Sequence, residues 1–490
     1  MATALTESSD PGAGPALPER EVTPPSPEHQ LGQLLVLAGE HEEQGRLDEA
    51  EAVLDHILAV APDSPGALHL LGIVAFRRGR LEQAMELIER AIALLPGIAL
   101  FHRNLCEIYR KLRRYDDALI AGRRAVELAP ADPHALHNLS VLHYHRLELD
   151  ASIVCAEQAL VLDREMAGAH FGIAEASLLR GDFARGWEEY QWRFRLGSGP
   201  TLMPPTDRPR WDGKPLRRGK TLLLIADQGY GDVIQFARYI GWAAKRCPNI
   251  AVACSREAQS IIAQQPGVGL IFDHWDDKPD FAAFCALSGL PRLARTDLAT
   301  IPAGIPYLHA DRDRIAGWTE RLSALVPKGY RRIGIVWAGR PTHNNDDNRS
   351  TKLAAFAPLA DLRQTALISL QKGAEQAQIG GYWGRAPLVN LGPEIGDFGD
   401  TMAVLECLDL VVSVDTAVVH LAGAMGKPVR VMLPYAPDWR WLLDRDDSPW
   451  YPSARLFRQS ADRQWGPVMA KIAHELTNLA ASRSARRPVP

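Results

Sequence analysis

Asp415, Thr416 and His420, in the stretch SVDTAVVHLAGAMG, have the types and spacing to hold a phosphate-bearing ligand. An apolar run that reads as a strand ends at Val414, and a helical pattern opens at Ala417. The free N–H groups of a helix start, with the positive end of the helix dipole, attract an anion. Thr416 adds a hydroxyl donor, and His420 falls about one turn into the helix. A diphosphate suits that geometry. The same residues also fit a plainer role, with Asp415 or Thr416 as a helix cap and His420 as an interior histidine.

A second stretch, LLLIADQGYGDVIQF (222–236), has a strand-like run followed by glycines and an acid. A dinucleotide loop would read GxGxxG, with an acidic residue about 20 positions further on. Here Gly231 is followed by Asp-Val-Ile, and the next strand-like run, IAVACS, leads into Ser255 and Arg256. That excludes the dinucleotide reading. Gln228, Gly229 and Gly231 remain as candidates for approaching a ligand closely, or for making a sharp turn. Asp232 is either a general base or the cap of the helix it opens.

Other apolar runs end in similar chemistry. The segment 340–352 offers Arg340, His343, Asn344, Arg349, Ser350 and Lys352, and the run LISLQ ends at Gln371 and Lys372. Cations there would attract a phosphate-bearing ligand without a metal ion, although a flexible charged loop fits equally. Asp438, Trp439 and Trp441 follow another run and could frame a ligand or serve as packing anchors. The DRD triplets at 311–313 and 444–446 could suggest metal ligation. In so acidic a chain they arise by chance, so neither a metal nor another cofactor is expected.

Such strand ends need sheets to position them. From 220 onward strands alternate with helices, which means parallel sheets, and ligands bind beyond the carboxyl ends of such strands. The pattern predicts a first lobe over 220–310, an inter-lobe helix in 311–330, and a second lobe with a closing helix over 331–482. Upstream the period changes. Gly45, Gly79, Arg113, Leu147 and Gly181 are 34 apart, as are Ala50, Ala84 and Ala118, and Pro62, Pro96 and Pro130. This resembles the tetratricopeptide repeat, two helices per unit, with four repeats and a partial fifth over 31–197. Ser152 and Arg164 break the pattern in repeat four. Such an array offers a groove for a protein or peptide, or serves as a spacer or dimerisation arm. Asn104 and Asn138 sit at equivalent places on first helices, either to bind a partner's backbone or to solvate the helix surface. Residues 1–30 read as a disordered leader, 198–219 as a linker and 483–490 as a loose tail.

The 490 residues carry a formal net charge of -4, so no basic field recruits nucleic acid. There is no signal pattern and no window suited to a membrane span. Six scattered cysteines without a CxxC pair fit a reducing cytoplasm.

The DTAVVH stretch also resembles the signature of the ADP-heptose:lipopolysaccharide heptosyltransferases, glycosyltransferase family 9. Asp415, Thr416 and His420 match the family's D-T-G-x-x-H segment, while Ala417 replaces its glycine. The GYGD loop, WAGRPTHNNDDNRS, SLQKG and PDWRWLLDRDDSPWYP extend the resemblance over about 220–470. It implies an α/β GT-B domain of two Rossmann-like lobes following an all-α tetratricopeptide superhelix. It also implies a nucleotide-sugar donor at the second lobe, with Asp232 as base toward an acceptor. The first lobe is shorter than in the heptosyltransferases, which implies a remodelled acceptor side. Bacterial proteins of this domain order include flagellin glycosyltransferases, so the expected partner on the repeats is a protein acceptor. A repeat scaffold with an inert transferase domain stands as the alternative.

Overall fold

The computed structural model describes residues 27–197, 206–343 and 345–485. Most of the expected leader, the first part of the linker, Asn344 and the last residues of the tail lie outside them. The chain divides into two compact units, one ending at Pro130 and the other starting at Ala131.

Among the described residues the first unit consists of helices: α1 (Pro27–Glu43), α2 (Leu47–Val60), α3 (Pro65–Arg77), α4 (Leu81–Leu94), α5 (Ala99–Lys111) and α6 (Tyr115–Leu128). They pack in consecutive pairs. Ala50, Ala84 and Ala118 are fully buried, so the small side chain sets the close approach within each pair. Pro62, Pro96 and Pro130 each lie two residues beyond a second helix, where proline cannot continue it. The 34-residue step is also a backbone rule. Gly45, Gly79 and Gly181 take positive φ, and Arg113 and Leu147 take the same left-handed conformation (φ 60° each) without being glycine. The tight turn between paired helices therefore demands that conformation whatever residue stands there.

The second unit opens with α7 (Pro133–His145), α8 (Leu149–Leu162), α9 (Ala167–Arg180) and α10 (Phe183–Glu189), the last running into a 3-10 segment, Tyr190–Arg195. Ser152, standing where earlier repeats have alanine, is buried with its hydroxyl 3.3 Å from Ser140 Oγ. That bond satisfies the polar atom the substitution introduces.

Two all-parallel sheets follow. The first has β1 (Thr221–Ile225), β2 (Asn249–Ala253), β3 (Val268–Phe272) and β4 (Ala283–Ala286) in the order β3-β2-β1-β4. Helix α11 (Tyr230–Ala237) follows β1, and α12 (Arg312–Leu325) leads to the second sheet. Asp311 of the first DRD triplet caps α12, accepting from Asp313 N and Arg314 N at 3.0 Å each. The second sheet contains β5 (Arg331–Val336), β6 (Thr365–Ser369), β7 (Leu388–Asn390), β8 (Leu410–Val414), β9 (Val429–Leu433) and β10 (Ala454–Arg458). Its order is β10-β9-β8-β5-β6-β7, with α13 (Ala417–Ala424) after β8 and α14 (Trp465–Ala485) closing the fold.

One apolar core runs through the second unit. Phe183, Trp187 and Tyr190 of the last repeat share it with Leu222, Leu224 and Phe236 of the first lobe and Trp439 and Trp450 of the second. Trp187 bridges the two lobes. Its Nε1 donates to Thr296 O at 2.9 Å, and its ring meets Trp439 edge-on with centroids 5.2 Å apart. Each such buried ring contributes roughly 1.5–3 kcal/mol. The last two repeats are therefore built into the α/β body rather than tethered to it.

Candidate active site

The carboxyl ends of β1, β5, β8 and β9 lead into loops that face one another. Asp232 is the centre. It sits third in α11, while Gly229 takes the cap position with no side-chain cap bond. The Asp232 carboxylate instead pairs with the Arg440 guanidinium, from the 3-10 turn after β9. Arg440 also holds both oxygens of Asp438 at 2.8 Å each and lies over the Trp439 ring, 4.4 Å from its centroid. Burial is the strongest influence on the Asp232 carboxyl and raises its pKa. Arg440 pulls it down and Asp438 pushes it up again, leaving it above the ordinary carboxylate value. A raised carboxyl is a stronger base when ionised, which suits proton abstraction near neutral pH.

On the other wall Thr416 caps α13 through its backbone, and its hydroxyl lies 3.1 Å from Ser413 Oγ. Asp415 and His420 are buried. His420 Nδ1 lies 3.0 Å from the Tyr451 hydroxyl, and Nε2 lies 3.6 Å from Asp415 Oδ1. Burial would raise the Asp415 carboxyl, but the His420 contact and the Arg349 charge hold it below its ordinary value. Asp415 is thus kept ionised beside the helix start.

The two walls touch through a glycine. A Cβ at Gly231 would stand 2.8 Å from His420 Cδ2 and 3.2 Å from Nε2. Gly231→Ala should therefore force the loop off α13, costing about 1–3 kcal/mol by overpacking. Alanine otherwise favours a helix, so a drop in melting temperature isolates this contact. An unchanged melting temperature would refute it.

The remaining predicted residues are spread around this centre. Gln371 is buried and fully committed to backbone: its Oε1 accepts from Trp337 N at 3.1 Å and Ala338 N at 3.0 Å. Its Nε2 donates to Ala338 O and Lys372 O at 3.0 Å each. It ties the ends of β5 and β6 together. Lys372 Nζ donates to Gly392 O at 3.1 Å and Ile395 O at 2.5 Å. Ser350 Oγ accepts from Gly339 N at 2.8 Å, and Arg349 Nε pairs with Asp346 at 3.2 Å. Lys352 is exposed at the mouth of a hollow of about 460 Å³ that also contains Trp383. The charges of Arg349, Asp438, Asp415 and Asp232 all act on the His343 ring, so these loops form one electrostatic cluster. Trp439 and Trp441 are buried packing anchors, and Asp446 of the second DRD triplet lies 3.8 Å from Arg455. In the first unit, Asn104 Nδ2 bonds His69 Nε2 at 2.9 Å; His69 is buried and lowered to about 4, first by burial and then by Arg103. Asn138 lies on α7, part-buried in the second unit.

Sequence reading missed the groups that surround Asp232. Arg440 stands inside PDWRW, between two tryptophans that drew attention first. Tyr190, Arg193 and Glu175 come from the last repeat, where the 34-residue pattern gives out and no spacing marks them. Tyr190 Oη lies within 3.1 Å of both polar atoms of the Gln228 amide. Glu175, on α9, is pushed up to about 8 by burial and then by Asp438, against the pull of Arg440. The carboxyl is therefore largely protonated at neutral pH.

Comparison with known proteins identifies the parts of the chain. Residues 364–433 match glycosyltransferase family 9 (heptosyltransferase). Residues 41–103 and 87–133 match tetratricopeptide repeats. Protein FlbA of Caulobacter vibrioides is 24% identical over 463 residues, covering 87% of this chain and 75% of the relative. The Hsp70-Hsp90 organizing protein of Triticum aestivum is 30% identical over 105 residues, 21% of this chain and 18% of that one. Among solved structures, residues 41 to the end of MamA from Desulfovibrio magneticus RS-1 align at 19% identity with a TM-score of 0.31, covering 34% of this chain and 98% of that one. The family matches support a glycosyltransferase domain joined to tetratricopeptide repeats. Among the described residues, no helix is long and apolar enough to cross a membrane.

Proposed function

We propose that the protein is an inverting, metal-independent glycosyltransferase of GT-B type. It moves a sugar from a nucleotide-sugar to a protein acceptor recruited by the repeats, in the cytoplasm. The domain order suggests flagellin as an acceptor to try first. The observation that carries this reading is the contact of Gly231 with His420, because it sets Asp232 beside the strand–helix junction at Asp415 and Thr416. The N–H groups opening α13 and the Thr416 hydroxyl bind the donor diphosphate, and Ala417 keeps that surface small. The Arg349 charge acts on Asp415 at the same junction and offsets developing negative charge on the leaving group, with Ser350 and Lys352 following it in the chain. Asp232 takes the proton from the acceptor hydroxyl as its oxygen attacks the anomeric carbon. The sugar–phosphate bond breaks, and the nucleoside diphosphate leaves with the electron pair.

A thermal-shift screen against UDP-, GDP-, ADP- and CMP-sugars tests the donor half of this reading. One nucleotide class should raise the melting temperature, since a ligand at about 100 times its Kd stabilises by roughly 2.7 kcal/mol. No shift with any of them would favour the alternative, a repeat scaffold with an inert domain.

A further inference from the structure

The 3-10 segment Tyr190–Arg195 is the last piece of the repeats, yet it lies against the loop that carries Asp232. Tyr190 is 3% exposed, and its ring sits under the Arg193 guanidinium at 4.5 Å and beside Trp439 at 6.1 Å. Arg193 donates to Tyr190 O at 2.7 Å, pairs with Asp227 at 3.4 Å and bonds Ser288 Oγ. Asp227 also accepts from Ser288 N at 3.2 Å. The segment is thus locked to the end of β1 from both sides.

Gln228 lies between this segment and Asp232. With its amide turned to satisfy its neighbours, Oε1 accepts from Tyr190 Oη at 3.0 Å and from Arg193 Nε at 3.1 Å. The amide nitrogen then donates to Asp232 Oδ1 at 2.9 Å. An amide has one acceptor end and one donor end. Arg193 Nε can only donate and so takes the oxygen end, while Tyr190 Oη, 3.0 Å from the oxygen and 3.1 Å from the nitrogen, braces the amide with its N–H aimed at the carboxylate. We propose that Tyr190 and Arg193, at the end of the repeats, are positioning residues that orient Asp232 through Gln228, making the last repeat part of the transfer machinery. This inference rests on the reading of Asp232 as the base.

The orientation matters because Asp232 has a competing partner. Arg440 binds the same carboxylate, while Asp438, His420 and Asp227 act on it electrostatically. A fixed N–H on Oδ1 holds the carboxylate plane so that its other oxygen is presented to the acceptor. The residues that make these contacts all belong to the second unit.

The test is a double-mutant cycle on the full chain, read as kcat, donor KM and the pH profile of kcat. Tyr190→Phe keeps the ring and removes one hydroxyl. On the acid limb it should lower kcat about tenfold, because roughly one pKa unit of lost charge stabilisation leaves about a tenth as much of the base ionised, and it should leave donor KM unchanged. The acid limb should move to higher pH, because the carboxylate loses the aimed N–H. Gln228→Leu should do the same more strongly. In an Asp232→Asn background, Tyr190→Phe should have no further effect. Full activity of both Tyr190→Phe and Gln228→Leu, or equal losses with and without Asp232, would overturn the positioning role while the base assignment stands. Full activity of Asp232→Asn alone would instead remove the base assignment. If Tyr190→Phe proves unstable, the acid-limb shift of Gln228→Leu decides.

Discussion

Asp232→Asn should lower kcat by about 10²- to 10⁴-fold, the usual contribution of a positioned general base. The amide keeps the size and the hydrogen-bonding reach of the carboxylate but cannot take a proton. Donor affinity should hardly change, because the expected diphosphate site lies on the opposite wall at Thr416 and the start of α13. The loss therefore belongs in kcat and not in donor KM. The raised pKa of Asp232, caused first by burial, sharpens the expectation. In the wild type the acid limb of the rate profile should lie above the ordinary aspartate range, and in the variant it should vanish along with the rate. A variant with wild-type kcat would return Asp232 to a structural part in the Arg440 ion pair.

Arg440→Met should be the most destabilising single change in the site. The guanidinium side chain is 9% exposed and lies between Asp232 and Asp438, with Glu175 also responding to its charge. Removing one partner of a buried ion pair leaves the other charge uncompensated, which costs about 3–5 kcal/mol. Methionine preserves most of the volume, so the loss is electrostatic and not a cavity effect. The pH dependence gives the sign. Without Arg440 the folded-state pKa of Asp232 rises further above its unfolded value of 3.8. Such a group gives its full stability below the unfolded pKa, and that stability is lost as pH rises through the folded pKa. The melting-temperature deficit of the variant should therefore be smaller at pH 5 than at pH 8. A deficit independent of pH would show that Arg440 acts by packing alone.

The sequence made some of this arrangement legible and hid the rest, for physical reasons. The 34-residue period was readable because left-handed turns, buried alanines and helix-ending prolines each impose a residue type at a fixed place. Gly45, Ala50 and Pro62 show all three rules within one unit. The alternation of strands and helices was readable because β1, β5, β6 and β8 are almost wholly buried and so almost wholly apolar. Asp415, Thr416 and Asp232 were marked by their place just beyond such strands. Gly231 was marked as a close approach and His420 as a candidate ligand, but the two lie 189 positions apart and nothing in the sequence pairs them. Gln371 and Lys372 stand at a strand end as a ligand-binding pair would, yet their side chains are spent on backbone carbonyls and amides, a commitment only the folded chain reveals. Arg440, Tyr190 and Glu175 were hidden because long-range charge pairing leaves no periodicity.

The same contrast explains the domain boundary. Periodicity groups all the repeats, and the linker after residue 197 looks like the natural break. Packing divides the chain earlier, after Pro130, because Phe183, Trp187 and Tyr190 are shared with the α/β core. Large apolar rings near the end of a repeat array are the local hint that the array is docked.

The most direct measurement is a crystal structure with the nucleoside diphosphate of whichever sugar donor gives the largest thermal shift. The diphosphate should lie at the amino end of α13, within hydrogen-bond distance of the Thr416 hydroxyl and the Ala417 amide, on the side of the cleft facing Asp232. A diphosphate bound on the repeats, or beyond the amino ends of the strands, would contradict a sugar-transfer site built from Asp232 and Thr416.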